Sequence, residues 1–290
     1  MKFGFATYGI RPDDIVPLAR HAEGLGFHGI WLGEHILEPR EFESAHPHDE
    51  GKTFVPVHTV ARKMYDMWTM VGGILGGTEK LTVTTGIYLM SLRHPVATAR
   101  AAITAQQIGG GRFQLGMGAG WWKEESEGLG IPFEHRHKRY NEAVPLLPRL
   151  FNGEWVSNDG PHFPFKELRV TEWPVRVPMV FGGTMPKALE RAARAGDGWY
   201  GPMVRPEEAI GYKQAIDKIR AEAGLTTPYS FQARVWGEPS KEQMQPYVDA
   251  GFDTLVLPSE TLQGRLDFEM TLDQKKRRLD EIAKNWGVGR

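Results

Sequence analysis

Cysteine is absent from all 290 residues, which excludes disulfides, thiolate metal sites and cysteine nucleophiles. A basic excess is absent too: 35 Lys and Arg stand against 36 Asp and Glu, for a net charge of -1. That balance lacks the bulk positive field on which nucleic-acid and anionic-membrane binding usually rests. No apolar run approaches the roughly 18 residues that a membrane span needs. The opening MKFGFATYGI reads as a strand, without the apolar core and cleavage site of a signal peptide. No Gly/Ser linker or shift in composition marks a second domain, and no spacing matches a zinc template. These absences leave, as a default, one domain over residues 1–290: a cytoplasmic enzyme acting on a small molecule, with no metal, no nucleic acid and no membrane.

What is present is an alternation. Strand-like segments at Lys2–Tyr8, Gly29–Leu32, Leu81–Leu89, Phe113–Met117, Pro178–Phe181, Gly198–Tyr200, Tyr229–Val235 and Thr254–Leu257 are separated by helix-like ones. The first helix shows the logic. Pro12 opens it, Asp13 and Asp14 suit its positive first turn, Ile15, Leu18, Ala19, Ala22 and Leu25 form one apolar stripe, and Gly26 ends it. Ser240 with Gln243, and Thr271 with Gln274, read as capping boxes on two later helices. Strict alternation predicts parallel strands with helical crossovers. Eight units predict an α/β fold closed as a (β/α)8 TIM barrel, a doubly wound sheet being the other option. Two connections exceed simple joins. One follows strand two, from Gly33 to about Tyr65, on the catalytic face; the other, Asn152–Val177, lies between helix four and strand five and contains a hairpin around Asn158-Asp159-Gly160.

Four stretches carry chemistry. In VFGGTMPKAL, Gly182, Gly183 and Thr184 separate a strand from a helix; they read equally as an anion site of backbone amides or as a tight turn with Thr184 as N-cap. In WLGEHILEP, Glu34 and His35 fall at a strand end, where barrels place catalytic groups, and the alternative is a histidine packed in a loop. In FQLGMGAGWWKEESEGLGI, Gly116, Gly118 and Gly120 leave one strand face without side chains, which suits a flat ring. Trp121 and Trp122 are cavity walls or ordinary core, and Glu124 and Glu125 suit a helix N-terminus. In TTGIYLMSLRHP, Gly86 interrupts a β-branched strand, the sign of a bulge or close approach. His46 and His48 have no assigned partners and read as loop residues, not ligands.

In this order, IWLGEH, TGIYLMSLRHP, GRFQLGMGAGWWKEESEGLGI and VPMVFGGTMPKALERAARAGDGW resemble the bacterial luciferase-like superfamily of flavin and deazaflavin oxidoreductases. The likeness runs over nearly the whole chain and is nearest the branch that uses coenzyme F420, a deazaflavin. The resemblance implies a (β/α)8 barrel with insertions. It implies His35 with Glu34 beside the deazaflavin ring, and a non-prolyl cis peptide at Gly86-Ile87 behind it. Gly118 and Ala119 would flank the ring and its side chain. Gly182, Gly183 and Thr184 would hold the cofactor phosphate, with His137 where flavin-using relatives place a phosphate contact. One departure matters. Trp121 stands where the sugar-phosphate dehydrogenases of the branch carry a glutamate, and Glu124 where they carry an asparagine. That argues against glucose 6-phosphate as substrate and leaves Glu124 as candidate general acid.

The expected activity is hydride transfer between coenzyme F420 and an organic substrate, as dehydrogenase or reductase. The alternative is an FMN-dependent monooxygenase working with a flavin reductase; a barrel glycosidase using Glu34 and Glu124, and a flavin-binding protein without turnover, rank behind it. A homodimer is compatible with the resemblance.

Overall fold

The computed structural model describes residues 1–41, 43–44, 64–257 and 270–289. His46 and His48 lie outside them. Strands β1 (Lys2–Thr7), β2 (Gly29–Leu32), β3 (Thr82–Thr85), β4 (Tyr88–Leu89), β5 (Phe113–Gly118), β6 (Val156–Asn158), β7 (Phe165–Leu168), β8 (Met179–Gly182), β9 (Gly198–Val204), β10 (Ser230–Val235) and β11 (Thr254–Leu257) follow one another along the chain. Eight of them pair in the order β3-β2-β1-β11-β10-β9-β8-β5, and β3 pairs back with β5 to close the ring. All these pairings are parallel, with Phe5 beside Ile30, Ile30 beside Val83 and Val83 beside Phe113. The fold is the (β/α)8 barrel.

The period of two sorts the side chains. Phe5, Ile30, Leu32, Phe181, Trp199 and Leu255 pack outward against the helices. Ala6, Trp31, Val180, Tyr200 and Val256 form a separate inner cluster. Beside that cluster the interior is polar and satisfied. Trp31 Nε1 donates to Gln232 Oε1 at 3.0 Å, Gln232 Nε2 to Gln114 Oε1 at 3.0 Å, and Thr84 Oγ1 to the same oxygen at 3.1 Å. A buried network with every member paired fixes rotamers instead of costing stability.

The expected Leu81–Leu89 strand breaks in two at Gly86-Ile87, whose peptide bond is cis. The first helix runs Pro12–Leu25 with Gly26 in the left-handed conformation at φ 89°. Both capping boxes form. The single helix read between Arg139 and Leu150 is instead two, Arg136–Ala143 and Leu146–Phe151, parted at Val144-Pro145 because proline has no amide to continue the ladder. In the insertion, β6 and β7 are antiparallel with Asn158 opposite Phe165, a wider loop than a turn at 158–160. Glu142 holds it open by accepting from Asn158 Nδ2 and from the amides of His162 and Phe163.

At the opposite end of the barrel from the strand C-termini, Glu23 accepts from the amides of Glu79, Lys80 and Leu81 just before β3. Burial pushes this carboxyl up, but the three amides outweigh it, so it titrates below the usual carboxylate range. A lowered folded-state pKa contributes stability above the unfolded value that is lost as pH falls through the folded one. Glu23→Ala is therefore expected to cost about 1–3 kcal/mol at neutral pH. Urea unfolding should show that gap narrowing below about pH 4.

Candidate active site

The ends of β2 and β5 meet at the C-terminal mouth. His35 Nδ1 lies 2.8 Å from Glu125 Oε2, and the two side chains are 8% and 2% exposed. The other carboxylate oxygen of Glu125 accepts the amide of Ile36. A carboxylate accepting at Nδ1 fixes the Nδ1–H tautomer and turns Nε2 toward whatever is bound. Trp121 and Trp122 stack on each other at 5.6 Å, and the His35 ring meets both nearly edge-on at 5.9 and 5.2 Å. The segment after β5 is thus wrapped around the histidine three residues past β2. Glu125 is the residue the sequence reading did not single out for the site; the signal available was its place on a short helix, Lys123–Gly128, one residue from Glu124.

Glu34, read as a partner of His35 in the chemistry, makes its bonds elsewhere. It is buried in an ion pair, with Arg93 Nη2 2.7 Å from Oε1, Arg93 Nη1 3.0 Å from Oε2, and the Leu89 amide 2.8 Å from Oε2. Burial pushes its carboxyl up to about 7 against the pull of Arg93 and the amide. Its work is to brace the turn that follows the cis peptide. Glu124, the candidate general acid, is tied to the loop after β2 through one oxygen. Its Oε1 accepts the amides of Glu43 at 2.7 Å and Ser44 at 3.1 Å. Burial raises this carboxyl, but hydrogen bonds from Glu43 and Ser44 outweigh it and hold the group below the usual range.

Of the bare face read into Gly116, Gly118 and Gly120, the barrel itself fills the space at the first two, while a Cβ on Gly120 would meet nothing nearer than Leu89 Cδ2 at 3.5 Å. A Cβ on Gly116 would lie 1.9 Å from the Thr85 carbonyl oxygen, and one on Gly118 would lie 2.2 Å from Ile87 Cδ1. Gly116 serves the close approach of β3 and β5; Gly118 lies against the residue after the cis bond. Ala119 follows, its carbonyl accepting from Ser91 Oγ at 2.7 Å.

Gly182, Gly183 and Thr184 lead from β8 into the helix Pro186–Ala195. Gly183 has φ 105°, and a Cβ there would come within 2.9 Å of Ala188 Cβ. Its carbonyl accepts from Trp199 Nε1 at 2.9 Å. The N-cap is Met185, not Thr184, because Pro186 takes the first helical position and Thr184 falls outside the turn. Thr184 is half-buried. His137, on the facing helix, is surrounded by cations: burial, then Arg136, Arg191 and Lys187, hold its imidazole below the usual range. Burial likewise holds the Arg136 guanidinium below its usual value. Backbone amides at a helix start thus lie beside a cluster of basic side chains.

The floor of the mouth is aromatic. A Cβ on Gly86 would touch Trp31 and Tyr200 Cε1 at 3.2 Å, and the two rings stack at 6.3 Å. Ile87 and Tyr8 pack on the same inner cluster. Among the described residues no cluster of His, Asp and Glu can hold a metal ion, and no helix is long and apolar enough to cross a membrane.

Residues 3–284 match a family described as luciferase-like monooxygenase. An uncharacterized Mycobacterium tuberculosis protein is 27% identical over 80% of each chain. An F420-dependent hydroxymycolic acid dehydrogenase of the same species is 31% identical over 65% of this chain and 49% of its own length. Among solved structures, an F420-dependent secondary alcohol dehydrogenase in complex with an F420-acetone adduct superposes with TM-score 0.76 at 18% identity, covering 100% and 99% of the two chains. The monooxygenase RslO1 of Streptomyces bottropensis superposes at 0.75 with 17% identity over 98% of both.

Proposed function

This chain belongs to the luciferase-like monooxygenase family, and from that premise we propose that it is an oxidoreductase passing a hydride between coenzyme F420 and a carbonyl compound or its alcohol. The observation that carries the reading is the pairing of His35 with Glu125 at the mouth, against the two stacked tryptophans. A histidine so held can donate to, or accept a proton from, the reacting centre at neutral pH. Relatives that take F420, among them a hydroxymycolic acid dehydrogenase and a secondary alcohol dehydrogenase, support the cofactor and the substrate class.

The residues present fit such a cofactor. A phosphate would meet the Gly183 and Thr184 amides, with His137, Arg136, Lys187 and Arg191 as counter-charges. Ile87, Gly118 and Ala119 would bound the ring on the β5 side, with the Gly86-Ile87 peptide against it. When bound, the deazaflavin supplies the hydride; the chain supplies orientation, an apolar floor and proton traffic. FMN shares the ring and the first phosphate, so the second reading is an FMN monooxygenase with a reductase partner, in line with RslO1.

A fluorescence titration against coenzyme F420 and FMN, oxidised and reduced, tests the choice. Micromolar affinity for the deazaflavin with much weaker FMN binding is expected; preference for FMN transfers the reading to oxygen-consuming chemistry, and binding of neither overturns both. Two further outcomes belong to the same site. Gly183→Ala should weaken the bound cofactor at least about tenfold, about 1.4 kcal/mol, because the new methyl strains a left-handed residue against Ala188. His137, whose pKa is lowered in the free protein, should titrate higher once a phosphate dianion offsets the surrounding cations. Histidine NMR signals followed against pH with and without inorganic phosphate would show this; an unmoved His137 would place the phosphate elsewhere.

A further inference from the structure

Glu34 is bonded to Arg93 and Glu124 to the amides of Glu43 and Ser44, and the mouth holds a further group suited to trade a proton with a substrate oxygen. Tyr8, just past β1, projects into the barrel mouth. Its ring lies over Gly33, where a Cβ would fall 1.8 Å from Tyr8 Cε1, so only a glycine directly after β2 admits it. Its hydroxyl donates to the Gly86 carbonyl at 3.3 Å and accepts from Arg234 Nη1 at 3.1 Å. Arg234 comes from β10 and is 8% exposed. Strands β1, β2, β3 and β10 therefore converge on one phenol. Tyr8 and Ile87 pack against the inner cluster of Ala6, Trp31, Val180, Tyr200 and Val256.

We infer that Tyr8 is the proton donor to the substrate's carbonyl oxygen, with Arg234 holding the phenol and stabilising its anion. A guanidinium 3.1 Å away favours the phenolate, while the longer hydrogen bond to a neutral carbonyl is readily exchanged for one to a ligand oxygen. A phenol and a guanidinium beside this inner cluster suit a compound that carries a carbonyl oxygen on an apolar body. The inference rests on the hydride-transfer reading above. In the reducing direction the carbonyl carbon accepts a hydride from the reduced deazaflavin, forming the new C–H bond. The carbonyl π pair moves onto oxygen, which takes the proton of the Tyr8 O–H. The phenolate regains a proton from water, and the proton shed as the cofactor is oxidised restores that water. The carbonyl gains two electrons and the cofactor loses two. In this assignment His35, held by Glu125, takes up the proton shed as the cofactor is oxidised and passes it to that water.

Two measurements decide. The cofactor-free protein is titrated with base by ultraviolet absorbance: one of its eight tyrosines should ionise at least about one pH unit before the rest. Tyr8→Phe should remove that early phase, Arg234→Met should move it up, and Arg234→Lys should keep part of it. No early phase, or one that survives Tyr8→Phe, overturns the inference whatever the cofactor. Protein loaded with reduced F420 is then mixed with a panel of short-chain and cyclic ketones. Tyr8→Phe should slow ketone-dependent cofactor oxidation at least about 100-fold, with F420 affinity within threefold of the unsubstituted protein. An undiminished rate, or no ketone oxidising the cofactor in the unsubstituted protein, overturns it. Failure to bind F420 at all sinks the proposed function instead and leaves the phenol titration to speak for Tyr8 alone.

Discussion

His35→Ala and Glu125→Gln should each lower turnover at least about 100-fold, and the double variant should be no slower than His35→Ala alone. The reason is geometric. Glu125 spans the Nδ1 of His35 and the amide of Ile36, so it sets both the tautomer of the ring and the path of the chain that carries it. Glutamine keeps the size and one acceptor but loses the charge that holds the Nδ1–H form and stabilises a protonated ring. Two residues that act as one unit lose their joint contribution when either is removed, so their effects do not add. F420 affinity should stay within about tenfold, about 1.4 kcal/mol, because neither residue belongs to the phosphate cradle. Single-turnover rates and a fluorescence titration on the three variants measure this. Full activity in His35→Ala would remove the histidine from the chemistry; additive losses would show that Glu125 acts elsewhere.

The second large effect is on stability. Lys275, on the C-terminal helix Leu272–Trp286, is fully buried, and its Nζ lies 2.7 Å from Asp14 Oδ2 in the first turn of the first helix. Arg11 also reaches Asp14, at 3.2 Å to each oxygen. Lys275→Met leaves a buried carboxylate with only that partly exposed partner, a loss of about 3–5 kcal/mol. Adding Asp14→Asn to Lys275→Met should recover most of it, since what costs is the unpaired charge and not the missing attraction. Burial pushes the Asp14 carboxyl up, but the hydrogen bonds and charges of Arg11 and Lys275 outweigh it, so its folded pKa lies below the unfolded one. The pair's contribution is therefore present above the unfolded carboxylate pKa and lost as pH falls through the folded value. Urea unfolding of the three proteins at neutral and acid pH is the measurement, with equal slopes as the control. A loss under about 1 kcal/mol would mean that water reaches the site.

The barrel was legible because its signals are local and periodic. The alternating apolar runs, Pro12 and Gly26 at the ends of one helix, and the Ser240–Gln243 and Thr271–Gln274 boxes each depend on neighbours within a turn or two, and each forms as read. The resemblance contributed the cis peptide at Gly86-Ile87, which no propensity argument reaches. Boundaries were lost where backbone chemistry interrupts a pattern, at that peptide and at Pro145.

The candidate site was legible in place and not in partnership. That His35 lies just past a strand end at the mouth follows from order alone; that it meets a carboxylate 90 residues away does not. Glu124 and Glu125 are adjacent, and adjacent residues on a helix point about 100° apart. Only the packing of Lys123–Gly128 against the end of β2 turns Glu125 to the histidine and leaves Glu124 to the amides of Glu43 and Ser44. Glu34 meets Arg93 in the same way, across the turn that follows β4 where β4 pairs with β5. Sequence by itself determined the alternation, the helix ends and the strand ends at which chemistry gathers, because those are set by short-range sterics and hydrophobic period. Tertiary structure alone decided which carboxylate serves which partner and which space beside a glycine is filled, because those depend on the register of strands closed into a ring.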